Sequence, residues 1–127
     1  MTRNLVIQSL LHAAGAKRPS KGLIHHSDRG SQYCSLEYRR MLKSFGMRAS
    51  MGAAGNCYDN APIESFWSTL KTELVFHRWF STRQQAIREI TEYIEVFYNR
   101  QRLQKQLGYL SPAAYERRFY EQRLAAW

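Results

Sequence analysis

Two carboxylates stand where chemistry could be done. Asp28 closes the run Leu23-Ile24-His25-His26-Ser27-Asp28, and Glu64 falls in the first turn of an amphipathic stretch that opens at Pro62. Carboxylate oxygens are the favoured ligands of hard divalent cations, so such a pair could take part in holding one if folding brought the two together. The pair alone decides nothing, because a Glu in a first helical turn is also what the helix dipole favours. His25 and His26 do not add a metal site. Neighbours on a strand point to opposite faces, so these two read as packing groups or as groups lying near a nucleic acid. Cys34 and Cys57 stand apart with no C-x-x-C pair and read as free thiols of a reducing cytoplasm.

A strand–helix–strand unit must position Asp28. Leu23 to His26 reads as a short buried strand. Ser35 caps a helix in which Tyr38, Met41, Leu42 and Phe45 recur at i, i+3, i+4 and i+7, and Gly46 stops it. Met47, Ala49 and Met51 alternate with Arg48 and Ser50, the period of a second strand. Such a unit implies a parallel pair with a right-handed crossover. Asp28 then lies at the carboxyl end of its strand, where ligands and catalytic groups collect in open α/β sheets.

Gly52-Ala53-Ala54-Gly55 reads as a mobile small-residue loop toward the second carboxylate, with Ala53 to Gly55 outside the residues that the structure describes. Asp59 and Asn60 read as turn and capping residues, and Pro62 suits a first helical turn. Ile63, Phe66, Trp67, Leu70 and Leu74 make the apolar stripe of that helix. Lys71, seven residues after Glu64, points nearly the same way, roughly 10 Å along the axis.

The flanking segments are helical. Thr2 caps a helix carrying Leu5, Val6, Leu10 and Leu11 on one side and ending at Gly15. Thr82 with Gln85 forms a capping box for a helix whose stripe is Ile87, Ile90, Ile94 and Phe97. Ser111-Pro112 starts a terminal helix with Tyr115, Phe119 and several Arg. Trp67 and Trp79 read as core residues rather than base-stacking platforms. The fold class is α/β, with two short parallel strands and several helices.

At 127 residues the chain is one domain's worth, and 44% hydrophobic with 13% aromatic residues argues for a folded protein. The net charge of +9 makes nucleic acid the first partner to consider and an anionic membrane the second. No run reaches the length of a membrane span.

Three motifs gather these residues into a pattern: His25-His26-Ser27-Asp28-Arg29-Gly30-Ser31-Gln32-Tyr33, then Gly55-Asn56-Cys57-Tyr58-Asp59-Asn60-Ala61-Pro62-Ile63-Glu64 with Lys71, then Tyr98-Asn99-Arg100-Gln101-Arg102 with Leu107-Gly108-Tyr109-Leu110-Ser111-Pro112. Their order and spacing resemble the insertion-sequence transposases that share the retroviral integrase catalytic core, over essentially the whole chain. The resemblance implies a ribonuclease-H-like fold and a triad of two Asp and one Glu. Asp28 matches the second Asp and Glu64 the Glu, as catalytic and metal-binding residues for Mg²⁺ or Mn²⁺. It also implies DNA as partner, association with other transposase subunits, and a cytoplasmic, nucleoid-associated bacterial location. Lys71, Arg29, Asn56, Arg100 and Arg102 are the expected DNA contacts. Gln104 departs from the family, whose members more often carry His there.

Residues 1–27 contain neither Asp nor Glu. The first Asp of the triad, on the first strand of the family's sheet, therefore has no counterpart here. The expectation is an incomplete ribonuclease-H-like fold: the C-terminal part of a catalytic core over residues 1–110, then a helical tail over 111–127. Alone, this part is expected to bind metal weakly and to be inactive. The alternative is a non-catalytic remnant that binds DNA or an intact transposase and modulates it.

Overall fold

The computed structural model describes residues 2–52 and 57–126. The chain divides into two compact units, Met1–Trp67 and Ser68–Trp127.

In the first unit, helix α1 spans Arg3–Lys17, with the Thr2 hydroxyl accepting from the Leu5 N–H at 3.4 Å. It runs past Gly15, where the sequence suggested a stop. Arg18 takes the left-handed conformation instead (φ 45°), and its N–H bonds the Ala14 carbonyl. Pro19 explains the position, because the residue before a proline is driven out of the helical region. The buried face is Val6, Ile7, Leu10 and Ala14, whereas Leu5 and Leu11 are exposed. The apolar stripe is thus turned away from the Leu5 and Leu11 side.

Strand β1, Ile24–Ser27, is followed by a one-turn helix α2, Ser31–Cys34, that periodicity did not reveal. Helix α3, Leu36–Ser44, is capped as expected: the Ser35 hydroxyl accepts from the Tyr38 N–H at 3.2 Å, and Gly46 (φ 70°) ends the turn that follows. Strand β2, Arg48–Met51, pairs parallel with β1, from Ile24 opposite Arg48 to Ser27 opposite Met51. Val6, Ile7 and Leu10 of α1 close on Tyr38 and Leu42 of α3, with Tyr33, Met41, Phe45 and Met47 packed around them.

β1 is not the buried strand that Leu23-Ile24 suggested; Ile24 is 60% exposed. The face that α3 covers is the one carrying His25, whose Nε2 lies 2.9 Å from the Tyr38 hydroxyl, the rings meeting edge-on at 5.6 Å. Burial holds the His25 pKa below its usual 6.5, outweighing a backbone hydrogen bond that raises it. Folding therefore favours the neutral ring. Its contribution to stability is complete above pH 6.5 and is lost as the pH falls through the lowered folded value. Urea midpoints should fall between pH 7.5 and 5.5, and His25→Asn should flatten that difference.

The second unit holds the C-terminal part of helix α4, Ala61–Glu73, a 3-10 turn at Val75–His77, helix α5 at Arg83–Glu92 and helix α6 at Pro112–Ala125. Only Leu70 of the expected α4 stripe is buried; Ile63 and Trp67 are about half exposed (51% and 50%) and Trp79 is 87% exposed. Neither Trp67 nor Trp79 is a core residue. The capping box is present, since Gln85 N–H bonds the Thr82 hydroxyl at 3.0 Å while Gln85 Oε1 accepts from the Ser81 N–H at 2.8 Å.

α5 passes into a π-helical segment, Tyr93–Tyr98, with Asn99 N–H bonding Ile94 O at 2.9 Å. One extra residue enters the turn there, which breaks the single stripe expected from Ile87 to Phe97: Ile90 and Ile94 are half-buried, Ile87 and Phe97 exposed. Gln104 pairs antiparallel with Leu110, its N–H bonding Leu110 O at 3.1 Å. Buried Ser111 caps α6 through the Ala114 N–H, and Ala113 N–H bonds Asn99 O at 2.7 Å. Among the described residues no helix is long and apolar enough to cross a membrane.

Candidate catalytic strand end and nucleic-acid surface

Asp28 lies one residue past β1, exposed, and its Oδ1 accepts from the Gly30 N–H at 2.7 Å. A Cβ on Gly30 would stand 2.9 Å from that oxygen and 3.0 Å from Gln32 Nε2, so any side chain there would have to displace the Asp28 carboxylate or the Gln32 amide. The neighbouring Arg29 turns the other way and donates from Nε to the Gly52 carbonyl at 2.8 Å. Asp59 packs against the same glycine. The thiol of Cys34, free and exposed, is 3.6 Å from Arg29 O and 3.9 Å from Met51 Sδ.

Glu64 is exposed in the first turn of α4, where the helix dipole stabilises a negative charge. The structure thus puts Asp28 at a strand's carboxyl end and Glu64 at a helix start, as the sequence suggested. His25 and His26 face opposite ways; His26 Nδ1 is 3.1 Å from Ser50 Oγ. Among the described residues no group of three or more His, Cys, Asp or Glu side chains is gathered as a metal cage.

The expected DNA contacts divide into two kinds. Lys71 and Arg100 are exposed, and Asn56 lies outside the described residues. Arg29 and Arg102 have Nε committed within the chain. Arg102 Nε donates to both oxygens of Glu73 at 2.9 and 3.0 Å, and its guanidinium lies 5.8 Å from the Tyr98 ring centroid. The Tyr93 hydroxyl donates to the same carboxylate. Burial pushes the Glu73 pKa up, but the hydrogen bonds from Tyr93 and Arg102, with the charge of Arg102, outweigh it and hold the carboxyl below its usual range. Burial and donation to Glu73 push the Tyr93 phenol well above its usual range. Sequence reasoning did not single out Glu73, Tyr93 or Gly52. Glu73 and Arg102 carry opposite charge, but they are far apart in sequence, and the π-helical segment carrying Tyr93 has no periodic signature.

Two sequence families, both described as integrase core domain, match residues 1–57 and 64–119. The chain belongs to the integrase core domain family. An uncharacterized 31 kDa protein of insertion element IS600 from Shigella sonnei is 52% identical to this integrase-core chain over 121 residues, 95% of the chain and 44% of that protein. The transposase for insertion sequence element IS904 from Lactococcus lactis is 45% identical over 117 residues, 92% of the chain and 46% of that transposase. Transposase InsF for insertion sequence IS3A from Escherichia coli K12 is 40% identical over 116 residues, 91% of the chain and 40% of InsF. The chain spans less than half the length of these relatives.

A chain of the simian T-cell lymphotropic virus intasome, solved in complex with PP2A regulatory subunit B56 gamma, superposes with a TM-score of 0.64. The match covers 76% of this chain and 35% of that one at 21% identity, a likeness of fold. The two parallel strands with their helices are an incomplete ribonuclease-H-like α/β arrangement.

Proposed function

We propose that this integrase-core segment serves DNA transposition, as the part of a transposase that carries two of its catalytic carboxylates, Asp28 and Glu64. The observation that carries the reading is Asp28 held at the end of β1 by Gly30, in a chain 45% identical to the IS904 transposase over 117 residues. The reaction is cleavage of a phosphodiester and joining of the freed 3′-OH to new DNA, two in-line displacements at phosphorus. The oxygen donors Asp28 and Glu64 suit Mg²⁺ or Mn²⁺. When bound, such an ion supplies charge stabilisation at the phosphate oxygens. The described residues bring fewer than three such ligands together, so this set is short of a complete cage.

The chain's own residues present the Asp28 carboxylate on a fixed loop and attract phosphates through Lys71 and Arg100. Arg29, Arg102 and Asn56 are weaker candidates for that contact. The core part is assigned to residues 1–110 and a helical tail to 111–127.

Two expectations test the reading. The 127-residue polypeptide alone should not join DNA with Mg²⁺ or Mn²⁺, because no carboxylate precedes Asp28 in it. Robust joining by the purified polypeptide, abolished by Glu64→Gln, would contradict this. It should bind duplex DNA in a salt-sensitive, sequence-tolerant way, given nineteen basic against ten acidic residues. Lys71→Ala should weaken binding across all sequences and lower the slope of log K against log salt by about 0.9, the worth of one phosphate contact. Binding that is unchanged from low to high salt would remove the electrostatic argument.

Among the described residues the sheet has two strands and no third beside them, which favours a second reading, a remnant that joins the oligomer of an intact transposase. Co-sedimentation of the chain with an intact relative, in the absence of DNA, separates this reading from the first.

A further inference from the structure

Backbone pairing between the two strands stops at Ser27 opposite Met51. Asp28 and Gly52 are the next residues, and a side chain takes over where the ladder ends: Arg29 Nε donates to the Gly52 carbonyl at 2.8 Å, in a part-buried position. Gly52 is itself buried. A Cβ built on it would stand 3.0 Å from Asp59 Cβ and 3.0 Å from Asp59 Oδ2, so Asp59 occupies the space that any other residue at 52 would fill. Asp59 belongs to a 3-10 turn, Cys57–Asn60, that runs without a break into α4. Gly52 is therefore held from two sides, by the residue after Asp28 and by the turn that launches the helix of Glu64.

We propose that Arg29 and Asp59 are positioning residues that clamp Gly52 and thereby fix the Asp28 loop relative to the first turn of α4. The inference rests on the reading of Asp28 and Glu64 as catalytic carboxylates. In-line displacement at phosphorus is sensitive to placement on the scale of 1 Å, so a joint that seats both carboxylate-bearing segments against one residue, Gly52, acts on the rate without touching DNA. It also gives Arg29 a role different from a phosphate contact, since Nε is spent on Gly52.

The test uses the 127-residue chain and its backbone amide resonances. Arg29→Gln and Asp59→Ala should each shift the amides of Asp28, Arg29 and Gly30 together with those of Ala61, Ile63 and Glu64. The amides of Leu10 and Leu42 in the core should stay in place. Gly52→Ala should move both segments further than either of those substitutions.

Two results would overturn the clamp. One is shifts from Arg29→Gln and Asp59→Ala that stay within a few residues of each substitution. The other is a salt slope lowered by about 0.9 in Arg29→Gln with Ala61–Glu64 unmoved, which would make Arg29 a phosphate contact. These readouts involve no catalysis. A failure of the chain to support DNA joining in any setting would sink the catalytic reading and leave the clamp standing.

Discussion

Asp28→Asn and Glu64→Gln should each abolish DNA joining when this chain replaces the matching segment of the IS904 transposase. That relative is 45% identical over 117 residues, close enough for an exchange that keeps the fold. Each carboxylate would help to hold the divalent cation that supplies charge stabilisation at the reacting phosphate, a contribution of several kcal/mol, so the loss should be on the order of 10³-fold or more. Both variants are nearly isosteric and both residues are exposed, so the unfolding free energy should change by less than about 0.5 kcal/mol. Loss of joining with stability and DNA binding intact is the signature of a catalytic group. If Glu64→Gln kept the parent rate, Glu64 would be a dipole-favouring surface residue and no more.

The second large effect is on stability. The first unit is held by five buried side chains, Val6, Ile7, Leu10, Tyr38 and Leu42. Leu10→Ala or Leu42→Ala leaves a cavity between α1 and α3 and should cost about 2–5 kcal/mol. A small core can spare little of that, so either variant should be largely unfolded at modest urea. Leu11→Ala, one residue along but 42% exposed, should change stability by less than about 0.5 kcal/mol. Equal losses from Leu10→Ala and Leu11→Ala would restore the stripe that the sequence suggested and contradict the observed packing.

That pair of substitutions marks where the sequence was readable. Caps are local, so Thr2, Ser35, Thr82 and Ser111 all sit where their side chains said they would. The period-two run Met47–Met51 and the strand before Asp28 were legible for the same reason, and with them the place of Asp28 itself. The orientation of α1 was not, because Leu5, Val6, Ile7, Leu10 and Leu11 offer two overlapping apolar faces and only contact with α3 chooses between them. Trp67 and Trp79 are large and hydrophobic yet exposed, because size and hydrophobicity alone do not place a side chain in the core. The hold on Gly52 joins residues 29, 52 and 59, and the Glu73–Arg102 pair is similarly distant in sequence; neither leaves a periodic trace.

The extra residue in the π-helical turn Tyr93–Tyr98 acts as a phase setting on everything C-terminal to it. Deleting one residue there would let α5 continue as an ordinary helix and swing the following side chains by about 100°. Arg102 would leave Glu73, and the Asn99 carbonyl would no longer meet the Ala113 N–H that seats α6. A point substitution at any of these positions costs one contact, whereas a single-codon deletion would re-aim the whole basic segment at once. Length across residues 93–98 should therefore be more strictly kept among working variants than the identity of any residue within them, and a library selected for function should show substitutions there but no one-residue gaps.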